Sequence, residues 1–324
     1  MRAAVVDRYG PPEVVTLREV PKPVPGENEV LVRARATTVN SGDARVRGIN
    51  VPGGPLFAFL MRLSLGFDRP KQPVGGFEMA GVVEAVGPGV SAFKPGDRVV
   101  GSHGFRFGLH QEYATFSKDD VLAHIPDGLS DEDAVAVLFG GTTSVMFFRA
   151  CALKAGESIL INGASGSVGT MAVQIAKSMG AEVTAVCSAA NVVLVRSLGA
   201  DHVIAYDRED FTRNGKRYDV IMDNHGNAPF SRVKGALAPD GRHLMVIFDK
   251  LSTFVSAKWN KQVVEVNQDD DAWNSATYAH LLDLVARGVI RPVIDSSYDF
   301  EDIAEAHRRV DTGRKAGSVV VTFA

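Results

Sequence analysis

The feature that most constrains the fold is an apolar, strand-like run that leads directly into a glycine-rich turn and then into a helical pattern. Residues 158–162 read SILIN, residues 163–169 read GASGSVG, and apolar residues then recur at helical spacing up to Met179. Such a turn presents backbone N–H groups at the start of a helix, where the helix dipole also favours an anion. The pattern predicts a βαβ unit that binds the pyrophosphate of a dinucleotide.

Two glycines of this turn have distinct predicted roles. Gly166 would let the backbone approach the phosphates, and Gly169 would let helix and strand pack closely. The spacing is GxxGxxG, so the pattern alone is also compatible with a purely structural turn. The strand before it, the helix after it and a second strand at 182–187 favour nucleotide binding. The candidate cofactor-binding residues of the turn are Gly163, Ser165, Gly166, Ser167, Val168 and Gly169.

The second strand of this unit ends without an acidic residue. NAD-selective sites usually place Asp or Glu there, about 20 residues after the turn, to bind the ribose hydroxyls. Residues 187–191 read CSAAN, so no carboxylate in this stretch repels a 2'-phosphate, and Ser188 and Asn191 offer hydrogen-bond donors. The sequence therefore favours NADP(H) over NAD(H).

The pattern of apolar and turn-forming residues changes near residue 131. Before it, short alternating runs such as 29–34 and 81–86 are separated by Pro-Gly turns, as antiparallel strands require. After it, apolar strands alternate with helical patterns, which predicts a doubly wound parallel sheet. A helical stretch at 273–287 precedes a strand-like tail at 317–323, which we place back in the first domain.

The fold class is therefore α/β with two domains. We predict a β domain from residues 1–121 and 262–324 and a Rossmann-type nucleotide-binding domain from residues 122–261. A segment at 52–65, PGGPLFAFLMRLSL, is unusually apolar. It either packs on its own domain, covers an apolar substrate pocket, or contacts a membrane or a partner.

Composition excludes several function classes. A formal net charge of −3 gives no broad attraction to nucleic acid, and no run reaches the roughly 20 apolar residues that span a bilayer. We therefore expect a cytoplasmic protein with no nucleic-acid partner and no stable membrane insertion. The two cysteines, Cys151 and Cys187, are too few for a disulfide framework and are expected to be reduced and buried.

Several stretches together resemble the zinc-less members of the medium-chain dehydrogenase/reductase superfamily, and among these the quinone and enone reductases. They are VNSGD at 39–43, GFEMAG at 76–81, GDRV at 96–99, the turn at 161–169, SLGAD at 197–201 and PDGR at 239–242. The resemblance implies a GroES-like β domain, a Rossmann domain that binds NADP(H), and a homodimer. It also implies that Ser188, Asn191 and Tyr206 surround the 2'-phosphate. Many relatives carry arginine where this chain has Ala190, which leaves the strength of the NADP preference open.

Zinc-dependent members of the superfamily hold the metal with a Cys-x-x-Asp and a Gly-His-Glu segment. The matching positions here are Asn40 and Phe77, and neither side chain ligates zinc, so we expect no metal. Asp43 and Glu78 are retained and are expected to make structural hydrogen bonds. The nearby histidines are expected to be ordinary surface or core residues; they are His103, His110 and His124.

Without a metal, reduction of a conjugated system is the easier chemistry, because charge spreads into the quinone or enone as hydride arrives. Asn40 is the candidate catalytic residue that orients the substrate oxygen, or else a structural strand-end residue. Asn224 follows a predicted strand near the cofactor, and the adjacent His225 is either a general acid or a loop-stabilising residue. The alternatives are a zinc-free alcohol dehydrogenase or carbonyl reductase, and an NADPH-binding protein without turnover.

Overall fold

The computed structural model describes residues 1–49, 54–247, 260–264 and 272–324. By their Cα packing these residues form two compact units. The first comprises 1–49, 58–139 and 274–324, and the second comprises 54–57, 140–247, 260–264 and 272–273. The division falls within a long helix, Asp131–Ala150, whereas the sequence placed the boundary after residue 121.

The strands are β1 (Arg2–Val6), β2 (Val15–Glu19), β3 (Val30–Val39), β4 (Glu78–Val86), β5 (Arg98–Ser102), β6 (Tyr113–Phe116), β7 (Val121–His124), β8 (Ser158–Asn162), β9 (Glu182–Cys187), β10 (His202–Ala205), β11 (Tyr218–Asp223), β12 (Leu237–Met245), β13 (Val263–Val264), β14 (Ile294–Asp299) and β15 (Ser318–Thr322). The α-helices are α1 (Ser41–Gly48), α2 (Gly54–Leu65), α3 (Asp131–Ala150), α4 (Ser167–Ser178), α5 (Val192–Ser197), α6 (Phe230–Val233), α7 (Ser275–Ala286) and α8 (Ile303–Asp311).

The first unit is built on a largely antiparallel sheet with the order β14-β15-β3-β4-β5-β7, and β6 also pairs with β3. Its side chains alternate between the two faces, and the inward set forms a buried apolar core around Val32, Met79 and Phe116. β15 pairs antiparallel with β3, with Val319 opposite Val39. The strand near the end of the chain therefore pairs within the sheet of the first unit.

The second unit is a parallel sheet with the order β10-β9-β8-β11-β12-β13. Renumbered from β8, this is the order 3-2-1-4-5-6 of dinucleotide-binding folds, in which ligands bind where the order reverses, beyond the carboxyl ends of the strands. The reversal lies at β8, and the glycine-rich turn starts at its carboxyl end. The predicted fold class, a β domain plus a doubly wound Rossmann-type sheet, is confirmed.

The helix α2 covers most of the apolar segment singled out in the sequence. None of its residues is buried, and its exposed apolar side chains include Leu56, Phe59, Leu60 and Leu63. Residues 52 and 53 of that segment lie outside the described part of the chain. Within the described residues, no helix combines the length and the apolar character that crossing a membrane requires.

Candidate active site

The glycine-rich turn joins β8 to α4 and is held by main-chain bonds to the next strand. Gly163 has a φ of +76°, a left-handed conformation that glycine adopts without strain. The N–H groups of Gly163 and Ala164 both donate to the carbonyl oxygen of Val186 on β9, at 3.1 and 3.0 Å. Gly166 is the N-cap of α4 and has no side chain with which to cap it. Since the first N–H groups of a helix lack partners within it, this end of α4 suits an anion.

Gly166 and Gly169 face different surroundings. A β carbon on Gly166 would meet nothing closer than the Gly163 carbonyl oxygen, at 3.7 Å, so the turn is open on that side. A β carbon on Gly169 would lie 2.2 Å from that oxygen and 2.6 Å from the α carbon of Ala164. The first position leaves room for a ligand, and the second is required for helix and strand to touch.

Residues predicted around the 2'-phosphate gather at the carboxyl ends of neighbouring strands. The side-chain amide of Asn191 donates to Ser165 Oγ at 3.0 Å, which joins the end of β9 to the glycine turn. Ser188 accepts a main-chain bond from Asn191 at 3.0 Å. Tyr206 follows β10, and its N–H donates to the carbonyl oxygen of Cys187 at 3.0 Å. The side chain of Tyr206 is 64% exposed, so its ring is open to a ligand.

The structure adds a carboxylate to this group that the sequence analysis missed. Asp207 Oδ1 accepts a hydrogen bond from Ala189 N at 3.1 Å. NAD-selective sites place this acid at the end of the second strand, which is β9 here, whereas Asp207 follows the end of β10. The parallel register, in which Ala205 lies opposite Cys187, is the signal that would have found it.

A second loop of the same unit lies beside the glycine turn. The carboxylate of Asp223 accepts from the main-chain N–H groups of His225, Gly226 and Ala228, at 2.9 to 3.1 Å. This fixes the loop, and Asn224 follows Asp223 with its β carbon 3.6 Å from the position of a β carbon on Gly163. Both amide atoms of Asn224 are buried, and neither has a hydrogen-bond partner in the described part of the protein. Asn224 therefore has an unused donor and an unused acceptor next to the turn.

Asn40 lies in the first unit and forms the N-cap of α1. Its Oδ1 accepts from Gly42 N at 2.7 Å and Asp43 N at 3.2 Å, and Asp43 Oδ2 accepts from Asn40 N at 2.9 Å. This reciprocal capping box fixes which end of the amide is oxygen. The Nδ2 group is buried and has no partner among the described residues. The structural role and the catalytic hypothesis for Asn40 thus use different atoms of one side chain.

Behind Asn40 the first unit buries two carboxyl groups. Asp43 Oδ1 accepts from Gly76 N at 3.1 Å, and Glu78 Oε2 accepts from Thr38 Oγ1 at 3.2 Å. Burial raises the pKa of Asp43, and burial raises the pKa of Glu78 well above its usual value despite the hydrogen bond from Thr38. As predicted, both side chains make structural hydrogen bonds.

Phe77 stands where zinc-dependent relatives have a histidine, and it is the centre of an aromatic cluster. Its ring lies edge-on to those of Phe105, Phe107 and Phe139, with centroids 5.8, 4.7 and 5.8 Å away. A β carbon on Gly42 would lie 2.9 Å from Asn40 Oδ1 and 2.9 Å from the Phe77 ring, so both groups border Gly42 and leave no room for a side chain there. Phe105 is 60% exposed, so the cluster has an open edge.

The remaining candidate ligands and nucleophiles have structural surroundings. Ring nitrogens of His103, His110 and His124 lie 3.0 to 3.2 Å from main-chain carbonyl oxygens. Among the described residues, no group of three or more His, Cys, Asp or Glu side chains is arranged to hold a metal ion. Cys151 and Cys187 are free and buried, and burial raises the pKa of each thiol to about 11.

Comparison with known proteins agrees with this geometry. The alcohol dehydrogenase GroES-like domain family matches residues 26–127, and the zinc-binding dehydrogenase family matches residues 198–321. A quinone oxidoreductase of Pseudomonas aeruginosa is 32% identical over 334 residues, which cover 97% of each chain. The solved quinone oxidoreductase of Pseudomonas syringae pv. Tomato DC3000 is 28% identical, with a TM-score of 0.81 over 99% of both chains. That of Coxiella burnetii, 24% identical, shares the fold with a TM-score of 0.86 over 99% of both chains.

The chain belongs to the medium-chain dehydrogenase/reductase superfamily, in its zinc-less, quinone oxidoreductase-like group. It is an oxidoreductase, and it has the fold of a family that binds nicotinamide dinucleotides. One matching family is described as zinc-binding. The resemblance places Asn40 and Phe77 at positions where its zinc-dependent members have metal ligands.

Proposed function

We propose that this protein is an NADPH-dependent reductase of quinones and α,β-unsaturated carbonyl compounds that transfers hydride without zinc. The observation that carries the proposal is the amide of Asn40. Its oxygen is engaged by the capping box, while Nδ2 is left as a buried donor without a hydrogen-bond partner among the described residues. A donor of this kind suits a carbonyl oxygen on a planar conjugated acceptor.

The second unit fits a dinucleotide. The open face at Gly166 and the first turn of α4 would hold the pyrophosphate, and the unused amide of Asn224 would hydrogen-bond the bound nucleotide. Ser188, Asn191 and Tyr206 would contact the adenosine end of the cofactor. Their uncharged side chains would donate hydrogen bonds to a 2'-phosphate there. When bound, the cofactor supplies a hydride from C4 of its nicotinamide ring.

The reaction consumes one hydride and one proton. A quinone becomes a hydroquinone, and an enone becomes a saturated ketone with hydride on the β carbon. Negative charge develops on the carbonyl oxygen as hydride arrives, and Asn40 Nδ2 stabilises that charge by donating a hydrogen bond. The proton comes from solvent in this proposal, since no side chain is assigned as its donor.

The test is oxidation of NADPH and of NADH by the purified protein, with 1,4-benzoquinone, a small enone and a simple ketone, before and after treatment with a chelator. Chelator-resistant oxidation with the quinone and the enone supports the proposal. Turnover of the simple ketone alone favours the carbonyl reductase alternative, and chelator-sensitive turnover contradicts zinc independence. Tight NADPH binding without oxidation by any acceptor favours a binding protein.

The proposal includes a homodimer, which is supported by the resemblance to a group in which dimers are common. Light scattering of the purified protein at micromolar concentration tests this, and a monomeric mass contradicts it.

A further inference from the structure

Asp207 lies where this fold binds the ribose of adenosine. In dinucleotide-binding sheets, the residue at the end of the second strand contacts the ribose 2' position. That strand is β9 here, and β10 runs parallel beside it with Ala205 opposite Cys187. The segments after the two strands therefore leave the sheet side by side, which brings the Asp207 carboxylate to the end of β9.

The carboxylate of Asp207 is hydrogen-bonded to a main-chain N–H that could otherwise bind the 2'-phosphate of NADPH. Its Oδ1 accepts from Ala189 N at 3.1 Å, and Ala189 directly follows Ser188, a proposed phosphate contact. The carboxylate thus already occupies a main-chain donor at the end of β9. Asp207 is exposed, so its carboxylate is accessible to a ligand at this end of the sheet.

No positive side chain comes from the end of β9 to offset this carboxylate. Residues 187–192 read CSAANV and carry no charge. Arg208 is the nearest basic residue in the sequence, and it is exposed on the segment after β10. A 2'-phosphate bound here would meet neutral donors on one side and a negative charge on the other, whereas a ribose hydroxyl would meet a good acceptor.

We infer that Asp207 sets the coenzyme preference, so that the protein uses NADH as well as NADPH. This rests on the proposed function to the extent that a nicotinamide dinucleotide binds at the glycine turn. The carboxylate repels the 2'-phosphate and competes for Ala189 N, and it accepts a hydrogen bond from the free 2'-hydroxyl of NADH. The NADPH preference favoured by the sequence is therefore small, and Asp207 is the residue that limits it.

The experiment measures binding of two adenosine probes to the full chain by titration calorimetry. The probes are 2',5'-ADP, which carries the 2'-phosphate, and 5'-AMP, which does not. Asp207→Asn removes the charge but keeps a side-chain oxygen for Ala189 N. We expect it to raise the affinity for 2',5'-ADP relative to 5'-AMP about 10-fold at low ionic strength. The gain should shrink in high salt, because exposed charges are screened.

Glu209→Gln is the matched control, since it removes another exposed carboxylate from the same segment. It should leave the ratio of the two affinities within about twofold, because Ala189 N bonds to Asp207 and not to Glu209. An equal effect of the two substitutions, or a salt-independent effect of Asp207→Asn, overturns the inference. So does an unchanged ratio in Asp207→Asn.

A second readout separates this inference from the proposed function. In turnover, Asp207→Asn should raise the NADPH-to-NADH ratio of kcat/KM by a similar factor. If the wild-type protein turns over no acceptor but the probe affinities shift as expected, the reductase function fails and the inference stands. If neither probe binds the wild-type protein, the glycine turn holds no nucleotide and both fail.

Discussion

The glycine turn of the second unit and the surroundings of Asn40 in the first unit are held together by different kinds of contact. At Gly169 main chain touches main chain, and a β carbon would come within 2.2 Å of a carbonyl oxygen. Around Asn40 the contacts are hydrogen bonds of side chains, namely those of Asn40 itself and Asp43. Seven consecutive residues form the glycine turn, whereas the buried polar groups behind Asn40 are joined by hydrogen bonds between residues 33 to 72 positions apart. A site made of backbone is sensitive to added volume, and a site made of side chains is sensitive to lost hydrogen bonds.

The largest expected effect tests the backbone side of this comparison. Gly169→Val places branched atoms inside the contact between β8 and α4, and it should destabilise the protein by several kcal/mol, on the order of 4 or more. Gly166→Val meets open space, so the unfolding midpoint in urea should change little while binding of both NADPH and NADH is abolished. Urea unfolding and cofactor titration of both variants measure the pair. A folded Gly166→Val that still binds either cofactor contradicts the assignment of the turn.

The next effect is a pH dependence that originates in the second unit. His243 on β12 is fully buried, and burial lowers its pKa to about 4 from 6.5. The unfolded chain binds this proton more tightly, so stability is fully present above pH 6.5 and is lost as the pH falls towards 4. The loss amounts to about 3 kcal/mol. His243→Leu should flatten the urea-unfolding free energy over that range, and an unchanged slope contradicts the assignment.

Glu78 in the first unit contributes a pH dependence of stability with the opposite sign, and it serves as the control. Its pKa is raised by burial, so the folded protein holds its proton more tightly than the unfolded chain does. The stability that this group contributes is present below pH 4.5 and is lost as the pH rises through the folded pKa. Glu78→Gln should therefore gain stability over wild type as the pH rises above 4.5, so it should steepen the rise of stability with pH above 4.5, whereas His243→Leu flattens it.

A smaller effect tests the side-chain region. Asn40→Ser keeps an oxygen for the capping box but loses the amide donor Nδ2, so it should lower kcat/KM for quinone and enone by about 10- to 100-fold. Its unfolding free energy should change less than that of Asn40→Ala, which also loses the cap and with it about 1 kcal/mol. Steady-state kinetics and urea unfolding measure the two quantities. Full activity in Asn40→Ser would leave Asn40 as a structural residue only.

The smallest expected effect concerns the open edge of the aromatic cluster. Phe105→Ala removes an exposed ring that lies against Phe77, and it should lower kcat/KM about fivefold for 1,4-naphthoquinone through loss of ring contact. For a small aliphatic enone the change should stay below about twofold. Phe67→Ala, which removes an equally exposed ring that packs on Phe59, is the control. Equal losses with both acceptors would mean that Phe105 does not select planar rings.

The difference between local and long-range contacts also explains which structural features could be predicted from the sequence. β8 and β9 have the predicted bounds, because an apolar run beside a glycine turn is a local signal. The bond from Ala189 N to Asp207 depends on which strands are neighbours, and that order is fixed by long-range packing. The free Nδ2 of Asn40 likewise became visible only when the capping box showed which end of the amide is occupied.

The most direct test of the central claim is the destination of the hydride. The protein is incubated with NADPH carrying two deuterium atoms at C4 of the nicotinamide ring and with a small enone, and the product is examined by NMR. We predict a saturated ketone with deuterium on the former β carbon. Deuterium on a carbinol carbon would mean that the carbonyl is reduced instead, and a product without deuterium would contradict hydride transfer from the coenzyme.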